Sequence, residues 1–267
     1  MSNGMEFRMK EATCVKHGAI FRMKASESIQ YIEIPKPERP TNPTPLEMII
    51  YNYELEARKF HNTRNKMAPV NESAEDKRAR IAKRDRDWQH LRVERRKIAA
   101  HLKLQTQLNL YREANKKRSA FELLAEDHHP TKKLARNLAA IGEAKPTTFH
   151  EPHHIIPGQG KYDQPIMEIC RINLHTFGYG INDPVNGVWL RNFDKNKQDD
   201  WATPVAPSHR PIHTMKYESW ISDQFLNDNL PEGIFINRLR SVKYMLKTGS
   251  HPDHILEKAA PTNGRNV

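Results

Sequence analysis

Four histidines in the second half of the chain have the spacing that a metal site and an adjacent general base require. His153 and His154 are neighbours, and they precede Ile155, Ile156 and a Pro-Gly pair, which is typical of a short strand entering a turn. Neighbouring side chains on a strand point to opposite faces. One imidazole can therefore bind a metal ion while the next faces water or substrate.

His209 and His213 lie four positions apart, so a helix would place both imidazoles on one face. Pro211 fits only the first turn of a helix. We therefore expect a helix that begins close to Ser208, with both histidines at its N-terminus, where free N–H groups favour a phosphate. In the alternative, Pro211 holds His209 ahead of the helix. Arg210, between the two histidines, is our candidate for substrate binding.

The segments between these histidines supply the elements that bring them together. Residues 163–177 predict one amphipathic helix with Ile166, Ile169, Cys170, Leu174 and Phe177 on its buried face. Asn186-Gly187 is typical of a tight β-turn, and residues 188–190 predict a second strand. Folded together, a two-stranded ribbon and a helix would surround one metal ion.

With these elements in this order, the segment from 149 to 225 resembles the HNH/endonuclease VII superfamily of nucleases, which has a ββα-metal fold. Within that superfamily it resembles the AHH branch. Three motifs carry the resemblance in the expected order. They are His-His-Ile-Ile-Pro at 153–157, Ile-Asn-Asp-x-x-Asn-Gly-Val-Trp-Leu at 181–190 and His-x-x-x-His-Thr-x-x-Tyr at 209–217. Pro152 stands where the branch has alanine.

The resemblance assigns a role to each of these residues. His153 and His213 resemble the metal ligands, and His209 resembles the additional ligand of colicin-type DNases. His154 resembles the general base that deprotonates the attacking water, and Asn186 the central asparagine that braces the loop between the strands. These roles imply hydrolysis of phosphodiester bonds with one divalent metal ion.

The residue types narrow the choice of metal without deciding it. Three imidazoles with an open coordination position suit Zn²⁺ or Ni²⁺, whereas the resemblance also allows Mg²⁺ or Mn²⁺. Cys14 and Cys170 are the two cysteines of the chain, so a multi-cysteine structural zinc site is excluded. A protein with so few cysteines fits a reducing cytoplasm.

Charge and proline divide the 267 residues into three predicted regions. Residues 1–45 form an N-terminal segment whose 28–34 stretch favours a strand and whose prolines from 35 to 45 favour an extended connector. Residues 46–145 form a basic helical region, and 146–267 the nuclease domain. The last region has 13 basic and 13 acidic residues, so the first 145 residues carry the whole formal charge of +11. The predicted fold class is α+β, mostly helical.

The basic region is expected to contain a helix from 46 to about 67 and a very long helix, or two with a bend, from 73 to about 125. Residues 77–97 contain ten Lys and Arg residues but only three acidic residues. Such a strip is either a solvated helix face or a surface for phosphate or an acidic protein. Deleting residues 1–145 is expected to weaken DNA binding and leave cleavage intact.

The expected function is that of a metal-dependent endonuclease acting on DNA, with RNA as the other possible substrate. The AHH branch implies an antibacterial toxin with a cognate immunity protein, delivered to a target cell by secretion machinery that contacts the N-terminal region. The alternatives are a phage or mobile-element HNH nuclease with a basic DNA-binding arm, and a non-enzymatic adaptor with a structural metal. No run of apolar residues predicts a membrane span, and no signal peptide is evident.

Overall fold

The computed structural model of the protein describes residues 33–64, 66, 68–198 and 203–257. Its elements in chain order are α1 (Pro45–Arg64), α2 (Ala74–Asn115), α3 (Ala120–Leu124), α4 (Lys132–Ala140), β1 (His150–His154), α5 (Gln164–Thr176), β2 (Gly187–Arg191), α6 (Met215–Phe225) and α7 (Glu232–Thr248). The mostly helical α+β class is confirmed. The strand expected at 28–34 falls largely outside the described residues, and residues 33–44 contain no helix or strand.

The long second helix begins where its capping residue predicts. The Ser73 hydroxyl accepts a hydrogen bond from the Asp76 N–H, which satisfies one of the free donors of the first turn. The helix ends at Asn115, and Ser119 and Glu122 form a capping box that starts α3. The expected continuation to about residue 125 is therefore two helices with a bend.

Helices α1 and α2 pack side by side, with the Phe60 and Trp88 rings stacked at a centroid distance of 5.5 Å. The C-terminal part of α2 packs against α4, and Leu108 in this part of the helix is buried. We call α1 and residues 74–100 of α2 the helical arm. No helix in the described part of the chain is long and apolar enough to cross a bilayer.

Strands β1 and β2 form an antiparallel ribbon in which His153 pairs with Val188 and Pro152 with Trp189. Side chains alternate between the two faces of the ribbon along each strand, and both faces are covered by other elements. Val188 lies in the main core with α5, α6 and α7, and Trp189 packs on the other face against Leu134 and Leu138 of α4. His153 and His154 therefore point to opposite faces, as the sequence predicts.

Pro152 is accommodated by its register in this ribbon. Ile155 N donates to Asn186 O, and Asn192 N donates to Phe149 O, so the odd-numbered residues of β1 make the ladder bonds. Position 152 consequently has its nitrogen directed away from β2. A residue without an N–H is tolerated there.

Helix α5 has the boundaries that its sequence predicts, with Asp163 as the N-cap. One of the expected core residues is wrong: Ile169 is 42% exposed, and Met167 is fully buried instead. Glu218 of α6 fixes the start of this helix, because its carboxylate accepts hydrogen bonds from the backbone N–H groups of residues 161–163. This contact ties α5 to α6 beneath the ribbon.

The expected helix start near Ser208 is wrong. Residues 209–212 form a turn, and α6 begins at Met215, with the Thr214 hydroxyl accepting from Tyr217 N at 3.0 Å. Thr214 is the residue that caps the helix, and Ser208 Oγ is buried without a hydrogen-bond partner among the described residues. His209 and His213 therefore both precede the helix, whereas the alternative expectation places only His209 ahead of it.

The Asn186-Gly187 turn also differs from the expectation. Residues Pro184–Asn186 form a 3-10 turn capped by Asp183, and β2 begins directly at Gly187. Asn186 does not adopt the left-handed conformation of a hairpin turn. The two strands are joined by α5 rather than by a tight turn, so the dipeptide has no hairpin to close.

Candidate metal and catalytic site

Three of the predicted residues converge on one point. His153 extends from β1, and His209 and His213 extend from the turn before α6. One ring nitrogen of each lies within 4.8 Å of the others, and the three ring centroids are 5.1–5.2 Å apart. Nitrogen ligands at this separation fit a single divalent metal ion of tetrahedral or higher coordination.

The hydrogen bonds of His153 identify which of its nitrogens is the ligand. Tyr217 Oη donates its one proton to Ile155 O at 2.8 Å, so it accepts from His153 Nε2 at 2.9 Å. Nε2 therefore carries the proton, and Nδ1 carries the lone pair. Nδ1 is buried and has no hydrogen-bond partner among the described residues, as expected of a nitrogen reserved for a metal.

The carboxylate of Glu151 orients His209 in the same way. Glu151 Oε2 lies 2.7 Å from His209 Nδ1, which leaves Nε2 of His209 for the metal. Glu151 also forms an ion pair with Arg210 at 3.2 Å. Because Glu151 and His153 are two positions apart on β1, both project from the ribbon face that carries the three histidines.

All three imidazoles are neutral at pH 7 and can donate a lone pair to a metal. Burial lowers the pKa of His213 to about 4, and the neighbouring His209 adds to this shift. Burial also lowers the pKa of His153 well below its ordinary range. Burial lowers the pKa of His209 as well, and the Glu151 carboxylate opposes that shift. Deprotonated ligands of this kind favour metal binding.

His154 lies at the end of β1 on the other face of the ribbon, and its Nε2 is 3.2 Å from Asn182 Oδ1. It is 7% exposed, and burial lowers its pKa to about 3. The second ring nitrogen, Nδ1, is accessible to solvent and has no protein partner among the described residues. The structure therefore holds a neutral imidazole with one nitrogen fixed and the other free.

Asn186 braces the two segments that flank the ribbon. Its Nδ2 donates to Ile156 O and Ile181 O, both at 3.2 Å, and its Oδ1 accepts from Ile156 N at 2.8 Å. The side chain makes no described contact with His154. It fixes the backbone that follows His154 and so acts on the candidate base through the loop.

Other histidines lie outside the three-histidine cluster. His150 and His175 are buried, and His150 bonds Thr147 and Thr203 through its two ring nitrogens. The ring centroid of His128 lies 6.3 Å from that of His154. His254 lies at the surface.

The supporting residues Tyr217, Glu151 and Asn182 were not assigned a role from the sequence. Tyr217 closes the third motif, and Glu151 lies at the even spacing from His153 that places both on one strand face. Both signals are readable in a sequence. Asn182 belongs to the second motif, but spacing does not reveal its role, because its partners lie about 55 positions earlier in the chain.

A two-stranded ribbon followed by a helix, with histidines from the first strand and from the start of that helix around one point, is the ββα-metal arrangement of HNH-type nucleases. The family comparison agrees with this geometry. Residues 134–229 match the model of AHH, described as a nuclease family of the HNH/ENDO VII superfamily with conserved AHH. This segment of the chain is therefore similar to the AHH nuclease family, and the residues predicted for the site from the sequence all lie within it. Comparisons with curated proteins and with solved structures give no match.

Replacing Tyr217 by Phe is expected to lower metal affinity by about 10- to 100-fold, because His153 loses the acceptor that fixes its ring. Titration calorimetry with Zn²⁺ or Ni²⁺ measures this change. Tyr179→Phe is the matched control, since the Tyr179 hydroxyl bonds Glu232 away from the three histidines. Equal affinities for the two variants would contradict the role of Tyr217.

The metal-free protein is expected to lose stability as the pH falls from about 6.5 to about 4. His213 has a pKa of about 4 in the folded chain and an ordinary value of 6.5 when exposed, so the unfolded chain binds more protons in this window. Thermal unfolding in EDTA at pH 7.5 and pH 5 measures the loss. His213→Asn should lessen it, and an unchanged difference between the two pH values would contradict this account.

Proposed function

We propose that the protein is a metal-dependent endonuclease that hydrolyses phosphodiester bonds of DNA. The observation that carries this proposal is the convergence of His153, His209 and His213, together with a buried ring nitrogen of His153 that has no hydrogen-bond partner among the described residues. A purely structural metal site would leave no task for the accessible Nδ1 of His154. The AHH match supports nuclease activity, and DNA as the substrate rests on resemblance to the superfamily.

In this proposal the three histidines hold one divalent ion. When bound, the ion neutralises charge on the scissile phosphate and on the leaving oxygen. The protein keeps the ligand nitrogens deprotonated by burial and aims them through Tyr217 and Glu151. Three imidazole ligands favour Zn²⁺ or Ni²⁺, and resemblance to the superfamily also allows Mg²⁺ or Mn²⁺.

His154 accepts a proton from the attacking water at Nδ1 while Nε2 stays bonded to Asn182. Its pKa of about 3 applies to the protein without substrate, and an approaching phosphate anion raises the pKa of a neighbouring imidazole. Asn186 keeps the following loop in place. Arg210 is 58% exposed and commits one side of its guanidinium to Glu151, so its remaining N–H groups can contact a phosphate oxygen.

Cleavage of supercoiled plasmid by the purified full chain tests the proposal. The expected result is nicking with at least one of Mg²⁺, Mn²⁺, Zn²⁺ and Ni²⁺, and no nicking in EDTA. A parallel series on RNA distinguishes the two substrates. Intact DNA and intact RNA with every metal would overturn the nuclease proposal in favour of an adaptor with a structural metal.

The helical arm is proposed to add non-specific affinity for DNA. All ten of its Lys and Arg residues between 77 and 97 are exposed, and within the described residues only Arg80, Arg84 and Lys97 form ion pairs. The neutral nuclease region gains little long-range attraction to phosphates, so the arm supplies the charge.

Changing Lys83 and Arg86 of the arm to Gln is expected to weaken DNA binding and to reduce the slope of log Kd against log salt concentration by up to about 1.8, at about 0.9 per phosphate contact. Fluorescence anisotropy at several salt concentrations measures the slope. The matched control removes the same charge from Lys145 and Arg240, which are exposed outside the arm. An identical slope in both double variants would contradict a role for the arm.

We propose further that the protein is an antibacterial toxin, delivered into a target cell and countered by an immunity protein. Support comes from its resemblance to the AHH branch. Expression in the bacterial cytoplasm should damage the chromosome and stop growth, and His154→Ala should relieve both effects. Growth without damage, together with site-specific cuts in vitro, would favour the phage or mobile-element alternative.

A further inference from the structure

A second hydrogen-bond network lies behind His154, on the ribbon face opposite the three metal-binding histidines. It begins at Asn182, which is fully buried. Asn182 Nδ2 donates to Glu126 Oε1 at 3.0 Å and to Asp127 O at 2.9 Å. Both partners can only accept, so the orientation of the amide is fixed and Oδ1 must face His154.

The orientation of Asn182 determines the tautomer of His154. An amide oxygen can only accept, so the nitrogen 3.2 Å away, Nε2 of His154, carries the proton. Nδ1 then carries the lone pair, and it is the nitrogen that solvent reaches. A general base needs this combination of a protonated rear nitrogen and a free front nitrogen.

Glu126 anchors the network with a negative charge. Its side chain is 6% exposed, and its carboxylate accepts from Lys133 Nζ at 2.6 Å and from Tyr111 Oη at 2.7 Å in addition to Asn182. Burial alone raises the pKa of Glu126, but these three hydrogen bonds outweigh it and lower the pKa below its ordinary value. The carboxylate is therefore ionised when it bonds Asn182.

The chain is built closely around these groups. A Cβ on Gly180 would lie 2.5 Å from Glu126 Oε2 and 2.1 Å from Tyr111 Oη, so any other residue at this position would displace groups of the network. Asn137 Nδ2 donates to Asn182 O at 2.8 Å and holds its backbone. Tyr111, Glu126 and Lys133 all precede residue 134, where the AHH match begins.

We propose that Asn182 and Glu126 are positioning residues for His154, holding its imidazole with Nε2 protonated and Nδ1 free as the base. When Nδ1 takes a proton from water, the positive charge of the ring faces the oxygen of Asn182 and, behind it, the Glu126 carboxylate. Glu126, which follows α3 and precedes the family-matched segment, thus completes the catalytic site. This inference rests on the proposed nuclease function.

The test uses the full chain with ¹⁵N-labelled histidine and compares Asn182→Ala with wild type. In wild type the ¹⁵N shifts of His154, assigned by comparison with His154→Gln, should show a protonated Nε2 and an unprotonated Nδ1. In Asn182→Ala a mixture of tautomers is expected, together with a fall in kcat of about 100-fold, an unchanged KM and an unchanged metal affinity.

Two further variants keep the test decisive. Asn173→Ala removes another buried asparagine, whose Nδ2 bonds Phe225 O and Leu226 O, and it should lower stability without altering the His154 tautomer or kcat. Glu126→Gln keeps the shape of the side chain and serves if Asn182→Ala does not fold. It should weaken the tautomer preference and lower kcat.

An unchanged Nε2-protonated tautomer in both Asn182→Ala and Glu126→Gln would overturn the proposal, as would equal effects of Asn173→Ala and Asn182→Ala on kcat. Failure of the proposed function gives a different result. In that case the wild type cleaves no nucleic acid, or His154→Ala cleaves normally, while the tautomer measurement still reports whether Asn182 sets the protonation of His154.

Discussion

His213→Ala is expected to lose metal binding and nucleic-acid cleavage together, whereas His154→Ala is expected to lose cleavage and keep the metal. The first substitution removes one of three ligand nitrogens that lie within 4.8 Å of one another. Its effect on affinity should exceed the roughly 10- to 100-fold expected for a residue that only orients a ligand. The second removes a group that lies on the opposite face of the ribbon from the ligands.

The size of the His154→Ala effect follows from its proposed role. A positioned general base contributes about 10²- to 10⁴-fold to the rate, so kcat should fall by a factor in this range. Titration calorimetry with Zn²⁺ or Ni²⁺ and plasmid cleavage, run on the same preparations, separate the two variants. His254→Ala is the control, because His254 is exposed and lies in a surface turn.

If the His213→Ala variant kept its metal affinity and its cleavage activity, the three-histidine site would have no part in the mechanism. Loss of metal affinity in His154→Ala would show that the two faces of the ribbon are not independent. Either result would mean that the roles assigned to the histidines do not follow from their positions. The Tyr217→Phe titration would then show whether His153 binds metal.

The sequence predicts the parts of this site that depend on local periodicity. The alternation of a strand places His153 and His154 on opposite faces, and the structure has them so. The helical pattern of residues 163–177 gives α5 nearly to the residue. Glu151 is open to a similar spacing argument, because it lies on the same face of β1 as His153. Tyr217 belongs to the third motif, but it lies in α6, after the turn that carries His209 and His213.

The errors arise where two local signals compete or where the partner is distant. Thr214 and Ser208 are both capable N-caps, and the bond from Tyr217 N to Thr214 selects the later helix start. Asn186-Gly187 has the composition of a hairpin turn, but the strands it would join are separated by α5. The burial of His150 depends on Thr147 and Thr203, and spacing within a strand does not reveal such partners.

Tertiary contacts also revise the expected independence of the second half of the chain. Arg112 of α2 pairs with the buried carboxylate of Asp183 at 2.7 and 2.9 Å, and Arg171 of α5 donates to Leu124 O at the end of α3. The base-side face of the ribbon is covered by α4. Because of these contacts, we no longer expect a fragment of residues 146–267 to cleave nucleic acid in the absence of the preceding helices.

Deleting residues 1–145 is therefore expected to unfold the nuclease domain rather than only weaken its binding to DNA. The deletion removes Leu134 and Leu138, both fully buried, and leaves Trp189 exposed on the ribbon. Truncating one buried leucine to alanine costs about 2–5 kcal/mol, and a domain has only about 5–15 kcal/mol of stability in total. Circular dichroism and thermal unfolding of the fragment 146–267 measure the outcome.

Single substitutions separate this packing effect from loss of the arm. Leu138→Ala in the full chain should lower the free energy of unfolding by about 2–5 kcal/mol, whereas Ile141→Ala, at a side chain that is 42% exposed, should change it by about 0.5 kcal/mol or less. A fragment 146–267 that unfolds cooperatively and nicks plasmid at the wild-type rate would contradict this prediction. It would also show that Glu126 is dispensable for His154. If the fragment fails to fold while a chain that retains residues 74–267 cleaves, the helices from α2 to α4 belong to the nuclease domain and α1 does not.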